Sequence, residues 1–166
     1  MKSENTSPLA QLAPDSRLWI YQSNRELTSS DEAQVEIVLR QFVSEWFSHG
    51  MAMKADFVIL HHRVIVIALD QTAAAASGCG IDKSVRMMDQ LGQQMGVNFL
   101  QRNLVVFEQD GVIQQTELNQ FWALRKAKMV DDETLLIDTT IQKLAAWPNN
   151  GWTLFKNSWH HEMWGR

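Results

Sequence analysis

The chain has 166 residues, 45% of them hydrophobic and 20% charged, the size and mixture of one globular domain with a core of its own. The net charge is −4, and its 15 Lys and Arg are scattered, with no run beyond Arg125-Lys126 and nearby Lys128, which argues against a nucleic-acid surface, where phosphate binding needs clustered basic residues. One cysteine, Cys79, excludes an internal disulfide and suits a reducing compartment.

No apolar run follows Met1-Lys2-Ser3-Glu4-Asn5, so no secretory signal is expected. The most apolar stretch, residues 57–69, holds two histidines and an arginine and falls short of the ~20 residues needed to span a bilayer. A cytoplasmic protein without a membrane partner is the expectation.

Residues 1–16 are polar, carry Pro8 and Pro14, and read as a flexible tail ahead of a single α/β domain over residues 17–166. Leu18-Trp19-Ile20-Tyr21 reads as a buried strand ending in a turn at Gln22-Ser23-Asn24. Ser29 and Glu32 form the pattern of a capping box for a first helix. Val35, Leu39, Phe42 and Trp46 then share one helical face, and Gly50 supplies a left-handed stop. Phe57-Val58-Ile59-Leu60 and Val64-Ile65-Val66-Ile67 are β-branched runs, read as two antiparallel strands joined at His61-His62-Arg63. A second helix is expected from about Ile81, with Val85, Met88 and Met95 on its apolar face and Gly96 at its end.

Leu104-Val105-Val106-Phe107 reads as a strand, and Asp110-Gly111 as the turn of a hairpin returning through Val112-Ile113. Thr116 is a candidate cap for a third helix bearing Leu118, Phe121 and Trp122. Leu135-Leu136-Ile137 follows as a short strand, then a brief helix over residues 141–146, and a turn at Asn149-Asn150-Gly151. The order through Phe107 is β-α-β-β-α-β, which predicts a ferredoxin-like α+β core with a hairpin, helix and Trp-rich C-terminal extension. A mixed sheet with helices on both faces is the second reading.

Trp19-Ile20-Tyr21-Gln22-Ser23-Asn24-Arg25, His49-Gly50, Ser77-Gly78-Cys79-Gly80-Ile81-Asp82 and Ser158-Trp159-His160 carry a likeness that runs from Arg17 to His160. On these residues the chain resembles a small family of uncharacterised bacterial proteins often labelled as ATPases of ABC transporters. The resemblance implies no catalytic residues. The label itself conflicts with the sequence. A P-loop wraps phosphates with G-x-x-x-x-G-K-[ST], whereas Gly78-Cys79-Gly80-Ile81-Asp82-Lys83-Ser84 places Asp82 where glycine must precede the lysine. A carboxylate there repels phosphate and lacks glycine's backbone freedom. Val64-Ile65-Val66-Ile67-Ala68-Leu69-Asp70 imitates a Walker B strand, but Gln71 stands where the catalytic Glu would follow.

Residues 77–84 are the most suggestive segment. Ser77, Gly78, Cys79, Gly80, Asp82 and Ser84 enter a helix whose free N–H groups and dipole suit an anion. Cys79 beside that terminus is a candidate nucleophile, with Asp70 and His49 as helpers. The plainer reading is a tight loop in which Cys79 is a small apolar residue. The histidines His49, His61, His62, His160 and His161 show no metal-ligand spacing, so no metal or cofactor is expected. Four of the seven tryptophans, Trp147, Trp152, Trp159 and Trp164, lie in the last twenty residues. Trp147 and Trp152 are read as core, and Trp159 and Trp164 as a candidate partner surface. The functional expectation is a non-enzymatic binding or assembly domain with an unknown protein partner, a second copy of the chain being one candidate. The alternative is a small-anion binder or enzyme built on the 77–84 loop.

Overall fold

β-branched residues resist the helix and pack well on a pleated surface, and the longest such run becomes the centre of the molecule. In the computed structural model, which describes residues 8–48, 50–76 and 78–164 (without the side chains of Ser48, Cys79 and Asn149), β5 spans Val64–Asp70. Its residues from Val64 to Leu69 are all 0% exposed. β5 is flanked by β1 (Arg17–Gln22) and β4 (Lys54–Leu60) in an antiparallel sheet of order β1-β5-β4. Being central, it is covered on both faces, which explains its unbroken apolar run.

The β4–β5 hairpin closes where the sequence placed it, with Leu60 opposite Val64 and the Arg63 N–H donating to the Leu60 carbonyl at 3.1 Å. His61 and His62 both adopt left-handed φ, 55° and 56°. Their side chains hold that turn on two sides: the His61 ring lies 4.3 Å from that of Trp152, and His62 Nδ1 meets Glu32 Oε1 at 2.7 Å.

The first helix, α1 (Ser29–Ser44), is capped one residue earlier than expected. Thr28 Oγ1 accepts from the Asp31 N–H at 3.1 Å, and the Asp31 carboxylate accepts from the Thr28 N–H at 2.8 Å. Thr28 has the extended backbone a cap requires, while Ser29 is already helical. Val35, Leu39 and Val43 are its buried residues. The helix ends at Ser44 rather than at Gly50, whose φ of 78° instead serves the turn between two short strands, β2 (Phe47–Ser48) and β3 (Met51–Ala52). The second helix, α2 (Gly78–Met95), begins three residues before Ile81 and stops at Gly96 as expected. Gly96 has φ 67°, and the Val97 N–H donates back to the Gly92 carbonyl at 2.8 Å, a Schellman stop.

β6 (Leu104–Gln109) and β7 (Val112–Glu117) turn at Asp110-Gly111, with φ of 52° and 78°. Thr116 stays within β7, and α3 (Leu118–Lys126) is preceded by Glu117, whose N–H donates to the Gln120 side chain at 3.3 Å. β8 (Leu135–Ile137) pairs with both β6 and β9 (Trp152–Leu154), giving a second sheet of order β7-β6-β8-β9. The brief helix expected over residues 141–146 is a single 3-10 turn, Leu144–Ala146, and α4 (Trp159–Met163) is the last element among the described residues.

These pieces stack as helices, sheet, sheet, helices. Val35, Leu39, Met88 and Leu91 meet Ile65 and Ile67 on one face of the first sheet. Leu18, Val64 and Val66 meet Val106 and Ile137 between the sheets. Phe107 and Leu136 meet Phe121 and Phe155 beyond the second sheet. The expected ferredoxin-like sheet requires correction at its last strand. That arrangement puts the strand after the second helix beside β1, but β6 opens the second sheet instead. The described part of the expected tail is also packed: Leu9 and Leu12 are buried between the sheets, and the Ala13 N–H donates to Asp70 Oδ2 at 3.2 Å.

Candidate ligand-binding cleft

Because β6 leaves for the second sheet, the outer edge of β1 is met by other chain only at its start. Arg17 bridges to Lys143, and the Leu18 N–H donates to the Gln142 carbonyl at 3.0 Å. At the far end, Gln22 Nε2 donates to the Leu104 carbonyl at 3.2 Å. Between these two ties lies a cleft of 630 Å³, within the range of small-ligand sites. Residues of β1, the first turns of α2, the loop before β6, residues 139–142 and the start of α4 line it.

The cleft is cationic in an acidic protein. Arg17 and Arg102 both line it, and among the described residues no Asp or Glu does. Among the described residues neither arginine forms an ion pair; Arg17 stacks on the Trp19 ring, its guanidinium carbon 5.0 Å from the ring centre. Two further lining side chains are buried with an unpartnered polar atom, Gln22 Oε1 and His160 Nδ1. Buried polar atoms without partners are costly and rare. Burial lowers the His160 pKa, and the nearby Asp138 carboxylate opposes that shift. Burial also pushes the Tyr21 phenol upward, with a hydrogen bond from Ser84 and the Arg102 charge opposing it.

Among the described residues, the lining includes no carboxylate base and no Cys or Ser. Of its two threonines, Thr140 already donates its hydroxyl to Asp138 at 2.6 Å. Asp138 Oδ2 accepts from the Trp159 N–H at 2.7 Å, so this carboxylate fastens α4 to the second sheet.

Of the residues singled out from the sequence, Trp159 lines the cleft, and the other described ones lie elsewhere or are committed to structure. Asp70 Oδ1 accepts from the Thr72 N–H at 2.9 Å and from its hydroxyl at 2.5 Å, while Oδ2 takes the Ala13 N–H. These bonds, led by the Thr72 hydroxyl, lower the Asp70 pKa. Ser84 is buried and donates to the Ile81 carbonyl at 2.6 Å. Gly78 and Asp82 are exposed at the start of α2, and Gly80 is buried there. Cys79 lies in the first turn of α2 with its side chain outside the described atoms, and Ser77 and His49 lie outside the described residues. Trp159 lines the cleft, half-buried, whereas Trp164 packs on Trp122 with ring centres 5.3 Å apart. Arg17, Gln22, Arg102 and His160 carried no local signal, since strand, loop and C-terminal helix bring them together only in the fold.

Among the described residues, no helix is long and apolar enough to cross a membrane, and no three His, Cys, Asp or Glu side chains gather to hold a metal ion. No protein-family model matches the chain, and no curated protein or solved structure matches it significantly.

Proposed function

We propose that this protein is a non-enzymatic binding domain whose ligand occupies the cleft beside β1 and is anionic. The observation that carries this reading is the pairing, among the described residues, of two arginines free of ion pairs with a lining devoid of acidic side chains. The unpartnered Nδ1 of His160 adds to it as a donor that an anion can use in the tautomer protonated there, while Gln22 Oε1, an acceptor, calls for an N–H or O–H elsewhere on the same molecule. The first sheet is read as a ferredoxin-like unit that has given its fourth strand to a second sheet, which leaves the space the ligand fills.

The test is a titration of the isotope-labelled protein with succinate, acetylglycine and an unstructured peptide pool, followed by amide NMR. Saturable shifts centred on Ile20, Arg102 and the Trp159 indole are the expected result. Shifts confined to residues 78–84, or none with any of the three probes, overturn the reading.

A further inference from the structure

The hydrogen bonds of β1 fix which of its peptide groups face the cleft. In an antiparallel pair, alternate residues bond to the neighbour and the rest point away. The Ser23 N–H donates to the carbonyl of Arg63, the residue just before β5, while the Leu18 N–H donates outward to Gln142. Residues of odd number in β1 therefore bond to β5, and Leu18, Ile20 and Gln22 point into the cleft. The outward N–H of Leu18 is taken by Gln142, whereas the outward N–H and C=O of Ile20 have no hydrogen-bond partner among the described residues. Ile20 thus presents the donor and acceptor pair to which an extended chain adds as a new strand.

The free stretch is short. From Leu18, tied to Gln142, to Gln22, tied to Leu104, is about 13 Å at ~3.3 Å per residue. Two or three residues fit there, and both ends are closed by the protein's own chain. That favours the end of a chain over a strand running through. Arg102, exposed and free of ion pairs, stands in the wall of the same cleft, with Arg17 adding positive charge. Ile81, Val85 and Trp159 supply apolar surface for one side chain.

We infer that the cleft takes the C-terminus of a partner polypeptide: its last two or three residues pair with Ile20 as an added strand, and its terminal carboxylate meets Arg102. This rests on the cleft being the ligand site and adds what the ligand is.

The probe is a dye-labelled octapeptide pool, randomised at its last three positions, made once with a free C-terminal carboxylate and once as the amide. Fluorescence anisotropy should show the acid pool binding at least about tenfold more tightly than the amide pool. In Arg102→Ala, which alters an exposed side chain and should keep the native circular dichroism, that difference should vanish. N-methylation of the penultimate peptide nitrogen should weaken the acid pool by a similar factor, because it removes a strand donor. Equal binding of acid and amide, or indifference to N-methylation, overturns the inference. If succinate or acetylglycine shifts the cleft amides while neither pool binds, this inference falls and the cleft reading stands; silence from every probe fells both.

Discussion

Gln22 Nε2 donates to the carbonyl oxygen of Leu104 at 3.2 Å and so joins the last residue of β1 to the first residue of β6. Gln22 is 4% exposed, and together with Gln115 of β7, whose Nε2 donates to the Ser23 carbonyl at 2.6 Å, it bridges the end of β1 to the second sheet where no backbone ladder does. Replacing it by alanine leaves the Leu104 carbonyl without this donor and opens a small void between the sheets. Gln22→Ala should lower the unfolding free energy by about 2 kcal/mol, read from the urea midpoint at unchanged slope. A loss under a few tenths would mean water takes over the bond and that the bridge is not a structural tie.

Much of the fold was legible because it is written locally. The Val64–Leu69 run, the Asp110-Gly111 turn and the Gly96 stop each carry their geometry in a few neighbouring residues. The Thr28 cap was missed by one residue because Thr28-Asp31 and Ser29-Glu32 both fit the capping pattern, and the backbone at Thr28 decides between them. The partner of β6 was not legible: Val106 suits a place beside β1 as well as one facing it across a second sheet. That single choice creates the cleft, so the residues lining it could not be found from spacing. Asp70 looked like a strand-end catalytic group, and only the fold shows its two oxygens given to Thr72 and Ala13.

Gly92 sits where α2 is crossed by the chain leaving it. A Cβ there would lie 2.4 Å from the Val97 carbonyl oxygen and 3.2 Å from the Phe99 ring. The Val97 contact is with backbone, which cannot swing aside, so Gly92→Ala must push the Schellman turn away from the helix. Although alanine favours helices, the crowding should win, with a net loss of about 1–3 kcal/mol in denaturant unfolding. Stabilisation would show that the turn shifts freely and that the close approach is dispensable.

His160 makes stability sensitive to mild acid. The imidazole is 5% exposed, and burial lowers its pKa below the ordinary 6.5, Asp138 opposing in part. Near and below that value the unfolded chain binds a proton that the folded chain resists, so the stabilisation held above about 6.5 is lost as pH falls through the folded value. In His160→Phe the drop in melting temperature between about pH 7.5 and about pH 5.5 should be smaller than in the parent. Asp138 keeps its bonds to Thr140 and Trp159 in that variant, so it gains no unpaired charge. Equal drops in the two proteins would assign the acid sensitivity to other groups.

Tyr21 is the chain's single tyrosine, so the phenolate absorbance near 295 nm reports one group beside the cleft. Burial raises its pKa above 10.0, and the Ser84 hydrogen bond and the Arg102 charge pull it back by stabilising the phenolate. Below the unfolded value the neutral phenol costs nothing; as pH rises past it the unfolded chain ionises first, and stability is lost through the folded value. Arg102→Ala removes a positive charge and should therefore move the folded titration further upward. A ligand carboxylate bound at Arg102 should act in the same direction, because it neutralises the same charge. If the substitution leaves the titration where it was, or lowers it, then Arg102 does not act on this side of the cleft, and its role in meeting an anion there loses its physical basis.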